Sequence, residues 1–321
     1  MIQLAAGLRH HCALIQGGVQ CWGYGEGIDG SSNYISSPTW ITGYEQKSGV
    51  DSICAGYVHT CLIKAGKVYC WGNNDYKQAR QASSTVTVPT LVSGIPADVI
   101  QISCGFYHSC AVLVDGRAMC WGSDAYGELG RGSVLSASTP VPAQVFTFND
   151  VVEIVAGSFS TCAIRLVNSQ RQTWCWGSNY FGQLGNGGTA TSQTSAIRMT
   201  QDFLGGPKTL SRGYLAYCGT STQDDAAYCV GYGNGGQLGN GDQLSKSSLT
   251  AVTSLGSGVS NEHVDFLESS MCCNGRRGSV LLGKLCSGPD SWFWLLLPWR
   301  WIFIEPNERS GSCGPEWCKR L

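Results

Sequence analysis

The stretch Gly105-Phe106-Tyr107-His108-Ser109-Cys110, followed by Cys120-Trp121-Gly122 and Tyr126-Gly127-Glu128-Leu129-Gly130, occurs five times in variant form. The copies begin at Gly7, Gly56, Gly105, Gly157 and Gly213, at spacings of 49, 49, 52 and 56 residues. Self-similarity at a period of about 50 residues marks a repeat architecture. One such unit is too small to bury its own apolar face, so neighbours must stack to make a core. The pattern therefore predicts a surface built by repetition rather than a catalytic domain with one privileged site.

The bulk of the chain agrees. Its 321 residues carry a net charge of −1, and only 13% are charged, which leaves no basic field for nucleic acid or an anionic membrane. The 43 glycines recur at fixed places in the copies, as short strands joined by tight turns require. The most apolar run, Trp292 to Ile304, is broken by Pro298 and Arg300 and falls short of the ~20 residues a membrane helix needs. The chain enters a repeat at once, with no basic and apolar leader before it, so no signal peptide is expected in it.

Within a copy, Cys12 to Cys21 reads as a hairpin. Ile15 faces Gly18 across a two-residue loop, Gln16-Gly17, and counting outward sets Cys12 opposite Cys21. The same arithmetic opposes Cys61 to Cys70 around Ala65-Gly66, and Cys110 to Cys120 around Val114-Asp115-Gly116. Cys162 and Cys175 bracket what reads as a longer loop, and Cys218 with Cys229 is the fifth pair. In the first two hairpins the cysteines take non-hydrogen-bonded positions, where Cα atoms approach to ~4.5 Å, within disulfide reach. Within-blade disulfides are the favoured state; buried thiol pairs and metal ligation remain open. Metal would draw on His59 and His108, two residues before Cys61 and Cys110, but a fourth ligand is not visible. The histidines are expected instead to hydrogen-bond between neighbouring repeats. No metal and no cofactor is expected.

After each hairpin comes Trp-Gly, at Trp22, Trp71, Trp121 and Trp176, with Val230 in the fifth copy. The glycine-rich turn that follows, as in Gly182-Gln-Leu-Gly-Asn-Gly187, lacks the Lys-Ser/Thr signature and following helix of a phosphate loop. Its leucine is expected to plug the core.

Repeated Gly-x-x-His-Ser/Thr-x-Ala-Leu, Trp-Gly and Gly-Gln-Leu-Gly elements, in that order, make Met1 to Val259 resemble the regulator of chromosome condensation (RCC1) repeat family. The resemblance implies an all-β fold, a β-propeller of four-stranded blades around a central channel, commonly seven of them. With five clear copies starting near 1, 50, 99, 151 and 207, and a degenerate sixth, an incomplete ring is expected. The cysteine pairs resemble those of bacterial, secreted or cell-surface members, which favours an extracellular or cell-surface setting over the cytoplasm. Family members differ in function. The nuclear prototype acts as a guanine-nucleotide exchange factor for a small GTPase, using a basic tail and a protruding wedge that this sequence does not show. UV-B receptors of the family carry Trp directly after the repeat glycine, where this chain has Leu8, Tyr57, Phe106, Ser158 and Tyr214. A secreted bacterial member binds its protein target through aromatic residues on one propeller face.

That loop supplies the candidate site: Tyr57, Phe106, Tyr107, Phe159 and Tyr214 as an aromatic arc, with Arg9 as the one cation at an equivalent place. Aromatics on a rigid scaffold make good interface anchors, although each could instead pack against the next blade. No nucleophile with a base, acid/base pair or metal cluster is readable, so the expected role is non-catalytic binding of a protein partner. Regulation of a small GTPase is the alternative.

From Met271 the pattern collapses, and this tail holds five of the 11 Trp and five of the 17 Cys. Residues 1–262 are assigned to the repeats and 263–321 to a degenerate sixth copy and an aberrant tail. A one-nucleotide slip, with permissible codons, restores the repeat's strand, Trp-Gly and Gly-x-Gly elements there in order, so a shifted reading frame is one reading of the tail.

Overall fold

A computed structural model of the chain describes residues 2–133, 138–146, 148–189 and 192–253, together with two backbone strands over 293–297 and 300–304. Five four-stranded antiparallel sheets follow one another along it, each pairing its strands in chain order. The first blade is β1 (Ile2–Ala6), β2 (His10–Ile15), β3 (Gly18–Tyr24) and β4 (Tyr34–Trp40); the second is β5 (Val50–Ala55), β6 (His59–Lys64), β7 (Lys67–Asn73) and β8 (Thr85–Leu91). Blade three comprises β9 (Val99–Cys104), β10 (His108–Leu113), β11 (Ala118–Ser123) and β12 (Ser138–Gln144). Blade four has β13 (Val151–Ala156), β14 (Ser160–Val167), β15 (Gln170–Gly177) and β16 (Gln193–Arg198). Blade five has β17 (Pro207–Arg212), β18 (Ala216–Ser221), β19 (Ala227–Gly231) and β20 (Lys246–Ala251). The inner strands β1, β5, β9, β13 and β17 abut in succession, and the blades form an open ring. A separate hairpin, β21 (Phe293–Leu297) with β22 (Arg300–Ile304), lies in the tail. The boundary at residue 262 and the rest of the tail reading fall outside the described residues.

The hairpin arithmetic holds pair for pair. Cys12 opposes Cys21, Cys61 opposes Cys70, Cys110 opposes Cys120, Cys162 opposes Cys175 and Cys218 opposes Cys229. All five are disulfides, each with Cα atoms 4.1 Å apart. The loops Gln16-Gly17 and Ala65-Gly66 take positive φ at both residues, the turn that matches strand twist. The fourth hairpin differs from the sequence expectation: its loop is again two residues, Asn168-Ser169, and its strands are longer instead. A sixth disulfide, Cys54–Cys104, joins the inner strands of blades two and three. Closing a 50-residue separation, it restricts the unfolded chain by about 4 kcal/mol in the loop-entropy model, against ~2.5 for a nine-residue hairpin.

The Trp-Gly step is where every blade changes register. Cys21 pairs with Thr39 but Gly23 with Ile35, so the outer strand advances four residues against two. The same offset recurs after Cys70, Cys120, Cys175 and Cys229. The glycines at these steps have φ from +95° to +111°, and a Cβ on Gly23 would lie 2.6 Å from Arg9 O. Trp71, Trp121, Trp176 and Val230 are fully buried between blades. Trp121 Nε1 donates to Gln78 O at 2.8 Å and Trp176 Nε1 to Glu128 O at 2.7 Å, each in the preceding blade. The leucines of the glycine-rich turns, Leu129, Leu184 and Leu238, are buried as plugs. Trp22 is only half-buried and Leu4 is 49% exposed, because blade one's outward face has no described neighbour.

The blade histidines do bond between repeats. His10 Nε2 lies 2.7 Å from Thr60 Oγ1, His59 Nε2 lies 3.0 Å from Ser109 Oγ, and His108 Nε2 lies 2.9 Å from Thr161 Oγ1. Each hydroxyl gives its proton to a carbonyl of the earlier blade (Gly27, Gln78 or Glu128), so the imidazole must donate from Nε2. The Nδ1 atoms are buried without a partner. Burial accordingly holds His10 and His108 down at about 3, and His59 well below the ordinary range. The repeat glycine makes room for the ring: a Cβ on Gly56 would stand 2.2 Å from His59 Cε1 and 2.4 Å from Gly105 O.

Candidate protein-binding face

The residues after the repeat glycine are held by blade-to-blade backbone bonds at one mouth of the channel. Leu8 N donates to Gly56 O at 3.2 Å, Tyr57 N to Phe106 O at 3.3 Å, and Phe106 N to Gly157 O at 3.3 Å. Ser158 Oγ donates to Tyr214 O. These bonds fix the loops at the spacing of the inner strands and bring their side chains together.

Phe106 is the hub of the resulting cluster. Its ring centroid lies 5.6 Å from Tyr57, 6.2 Å from Tyr107, 5.8 Å from Phe159 and 5.4 Å from Tyr214. Tyr57 and Tyr107 also meet at 5.4 Å. These separations are those of favourable edge and tilted aromatic pairs. All five aromatic residues singled out in the sequence thus meet in one cluster, each half-buried rather than lost in a blade interface. Arg9 is exposed and closes one end, with Cζ 5.6 Å from the Tyr24 centroid and 5.5 Å from that of Tyr57.

Sequence reasoning missed a second tier. Tyr76 packs tilted against Tyr107 at 4.6 Å, Tyr126 packs edge-on against Phe159 at 5.3 Å, and Tyr180 approaches Tyr126 at 6.2 Å. Tyr76 and Tyr126 lie in the turn after the third strand of their blades, two residues before Gln78 and Glu128. Those side chains fold back to accept the Tyr76 N–H at 3.0 Å and the Tyr126 N–H at 2.7 Å. The recurrence of a tyrosine five residues after Trp71 and Trp121 was the readable signal for Tyr76 and Tyr126; the fifth residue after Trp176 is Phe181, and Tyr180 stands one place earlier.

Arg212 was missed as well. It ends the inner strand of blade five and reaches across the channel to the equivalent ends of three other inner strands. Its guanidinium donates to Ala55 O at 2.8 Å, to Ala156 O at 2.9 Å and to Cys104 O. Ala55, Cys104 and Ala156 each precede a repeat glycine, so this cation underlies the aromatic cluster. Burial and the neighbouring phenols of Tyr57, Tyr76 and Tyr214 raise Tyr107 above its ordinary value, and it stays a neutral hydroxyl. Beneath the second tier, burial raises Glu128 to about 6, while its oxygens remain occupied by Ser123 Oγ and Tyr126 N. The face thus offers aromatic surface, phenolic hydroxyls and a cationic rim. Among the described residues no helix is long and apolar enough to cross a membrane.

Two family models, both described as the regulator of chromosome condensation (RCC1) repeat, match residues 50–78 with 99–128 and 65–112 with 115–164. The ultraviolet-B receptor UVR8 of Arabidopsis thaliana is 28% identical over 253 residues, covering 74% of this chain and 55% of that protein. The probable E3 ubiquitin-protein ligase HERC6 of Homo sapiens is 29% identical over 160 residues, 46% of this chain and 15% of that one. The chain therefore spans about half the length of the first of these relatives and a small part of the second. Human WBSCR16 superposes with a TM-score of 0.71 at 19% identity, covering 83% of this chain and 70% of that one. Prp20p of Saccharomyces cerevisiae gives 0.70 at 18%, covering 92% and 72%. Repeat, strand order and solved neighbours agree: residues 50–164 carry RCC1 repeats, and the described blades share the β-propeller fold of these RCC1-type structures.

Proposed function

We propose that this chain is a non-catalytic propeller that binds another protein through the aromatic face at the channel mouth. One observation carries the reading: rings contributed by blades two to five form a single contact network that is left half-exposed. Eight aromatic residues of ~150–250 Å² each, roughly a quarter to a third exposed, present on the order of 400–500 Å², somewhat over half of one partner's share of a standard interface. Two-torsion rings fixed by backbone bonds also lose little entropy on binding. Six disulfides among the described residues favour an oxidising compartment for this encounter.

The test pairs the native chain with Phe106→Ala and Tyr214→Ala in affinity capture from secretions and extracts. Any protein held by the native chain is then titrated against each variant. Loss of about 30-fold or more in affinity, the mark of a central aromatic anchor, is the expected result. Unchanged capture by both variants rules out this face. The structure of Prp20p is described with its binding to Gsp1p and histones. Acceleration of nucleotide release from a panel of small GTPases would therefore move this chain to the exchange-factor reading, and its absence keeps the binder.

A further inference from the structure

The cysteines of blade two make a row that no other blade has. Cys54 on β5 pairs directly with Cys61 on β6, which pairs directly with Cys70 on β7. Across the blade interface Cys104 reaches the same place from β9, and the Sγ atoms of Cys54, Cys61 and Cys104 all lie within 4.8 Å of one another. Cys70 is bonded to Cys61, so the disulfides Cys54–Cys104 and Cys61–Cys70 are neighbours. The positions equivalent to Cys54 and Cys104 at the other interfaces hold Ala5 with Ala55, Ser103 with Ala156, and Val155 with Arg212. At blades three and four this contact is a hydrogen bond, Ala156 N to Ser103 Oγ at 2.9 Å. The geometry is thus a standing blade-to-blade contact, converted to sulfur once.

We infer that these four sulfurs form a convertible site: two disulfides when oxidised, and a four-thiolate site for one soft divalent metal ion, zinc or cadmium, when reduced. Tetrahedral thiolate coordination at ~2.3 Å places sulfurs about 3.8 Å apart. Cys61 Sγ needs to approach the other two by no more than about an ångström, the bonded Cys54 and Cys104 sulfurs move apart on reduction, and release of Cys70 frees the fourth. A dithiol reductant supplies two electrons and two protons to each disulfide and itself closes to a cyclic disulfide. The four thiols then release four protons as the ion binds. One feature suits the excess negative charge of such a centre: the Arg212 guanidinium donates to the carbonyl of Cys104 itself. Conversion would also reach the aromatic face, because Cys54 and Cys104 lie three and two residues before Tyr57 and Phe106.

The test uses the full chain, reduced without oxygen by a dithiol, desalted and titrated with Cd²⁺. The ultraviolet thiolate-to-cadmium band and the sulfur count from X-ray absorption are the readouts. One ion per chain in four-sulfur coordination is expected. It should be lost in the Cys54→Ser/Cys104→Ser double variant and kept in Cys218→Ser/Cys229→Ser. Coordination by only two or three sulfurs in the native sequence overturns the inference, as does a four-sulfur ion that survives in the first double variant. Near-ultraviolet dichroism of the buried tryptophans follows the fold. If reduction abolishes that signal and Cd²⁺ fails to restore it, the site is not preorganised and the inference falls.

Discussion

The interface between blades four and five does by other means what the three preceding interfaces do with histidine. Between blades one and four an imidazole on the earlier blade meets a Thr or Ser hydroxyl on the later one. At the fourth interface the sizes are exchanged. Ser160 stands in the histidine position, and Tyr217 in the later blade reaches back to it, with 3.0 Å between the two hydroxyls. The phenol fills the space of the imidazole so closely that a Cβ on Gly157 would lie 2.5 Å from Tyr217 OH. The glycine pocket therefore demands a ring of given volume with a polar tip, and either blade can supply it. The two solutions differ in chemistry, because only the imidazole has a proton equilibrium near neutrality.

The largest consequence is a divided response to acid. His10 and His108 are held at about 3 and His59 well below 6.5, so the unfolded chain binds more protons than the folded one between those values and 6.5. Stability from these sites is complete above pH 6.5 and is lost as pH falls. The slope is up to about 1.4 kcal/mol per pH unit for each histidine, or about 4 for the three together. Urea midpoints should fall steeply from pH 6 to pH 5, and hydrogen exchange should accelerate in β6, β10 and β14 before β18. Equal midpoints at the two values would remove the distinction between the interfaces.

Exchanging the two solutions sharpens it. Tyr217→Thr alone leaves a cavity and costs about 3 kcal/mol, while Ser160→His alone forces a ring against the phenol and costs about 2. Together they rebuild the arrangement of the other interfaces, and the double variant should lie within about 1 kcal/mol of the native chain with a steeper loss in acid. Thermal or urea unfolding of the four proteins gives the coupling. Simple additivity of the two costs would mean that the pocket does not set the pair.

The sequence revealed what repeats and little of what a single interface does once. Hairpin register, the five Cys pairs and the core role of Leu129 and Leu184 follow from loop length and recurrence, which are local. The clustering of Tyr57, Phe106, Tyr107 and Phe159 was legible because they fill the two adjacent positions after the repeat glycine. Arg212 was not, since its partners lie up to 157 residues away and are backbone carbonyls that leave no mark in the sequence. Cys54–Cys104 escaped for a related reason. The two residues stand one position apart in the repeat, and only the stagger of neighbouring inner strands brings them together. Tyr217 reads as a strand aromatic until Ser160 is seen beside it.

The smallest effect has the opposite sign and lies at the same fourth interface. Glu153 on β13 accepts a hydrogen bond from Leu210 N at 2.8 Å, and burial raises its carboxyl to about 7, with Arg171 at 4.0 Å opposing only weakly. A folded value above 4.5 means that the folded chain holds the extra proton. This site's contribution is therefore complete below about 4.5 and is lost as pH rises through about 7. At equivalent positions Gln3 and Gln101 accept from Ile53 N and Ile154 N with amides that never ionise. Glu153→Gln should add about 1 kcal/mol at pH 8 and nothing at pH 4.5, read from urea midpoints at both. A loss at pH 8 would show that the Arg171 pair outweighs the burial of the carboxylate. A gain would leave blades four and five as the interface that tightens in acid, beside three that loosen.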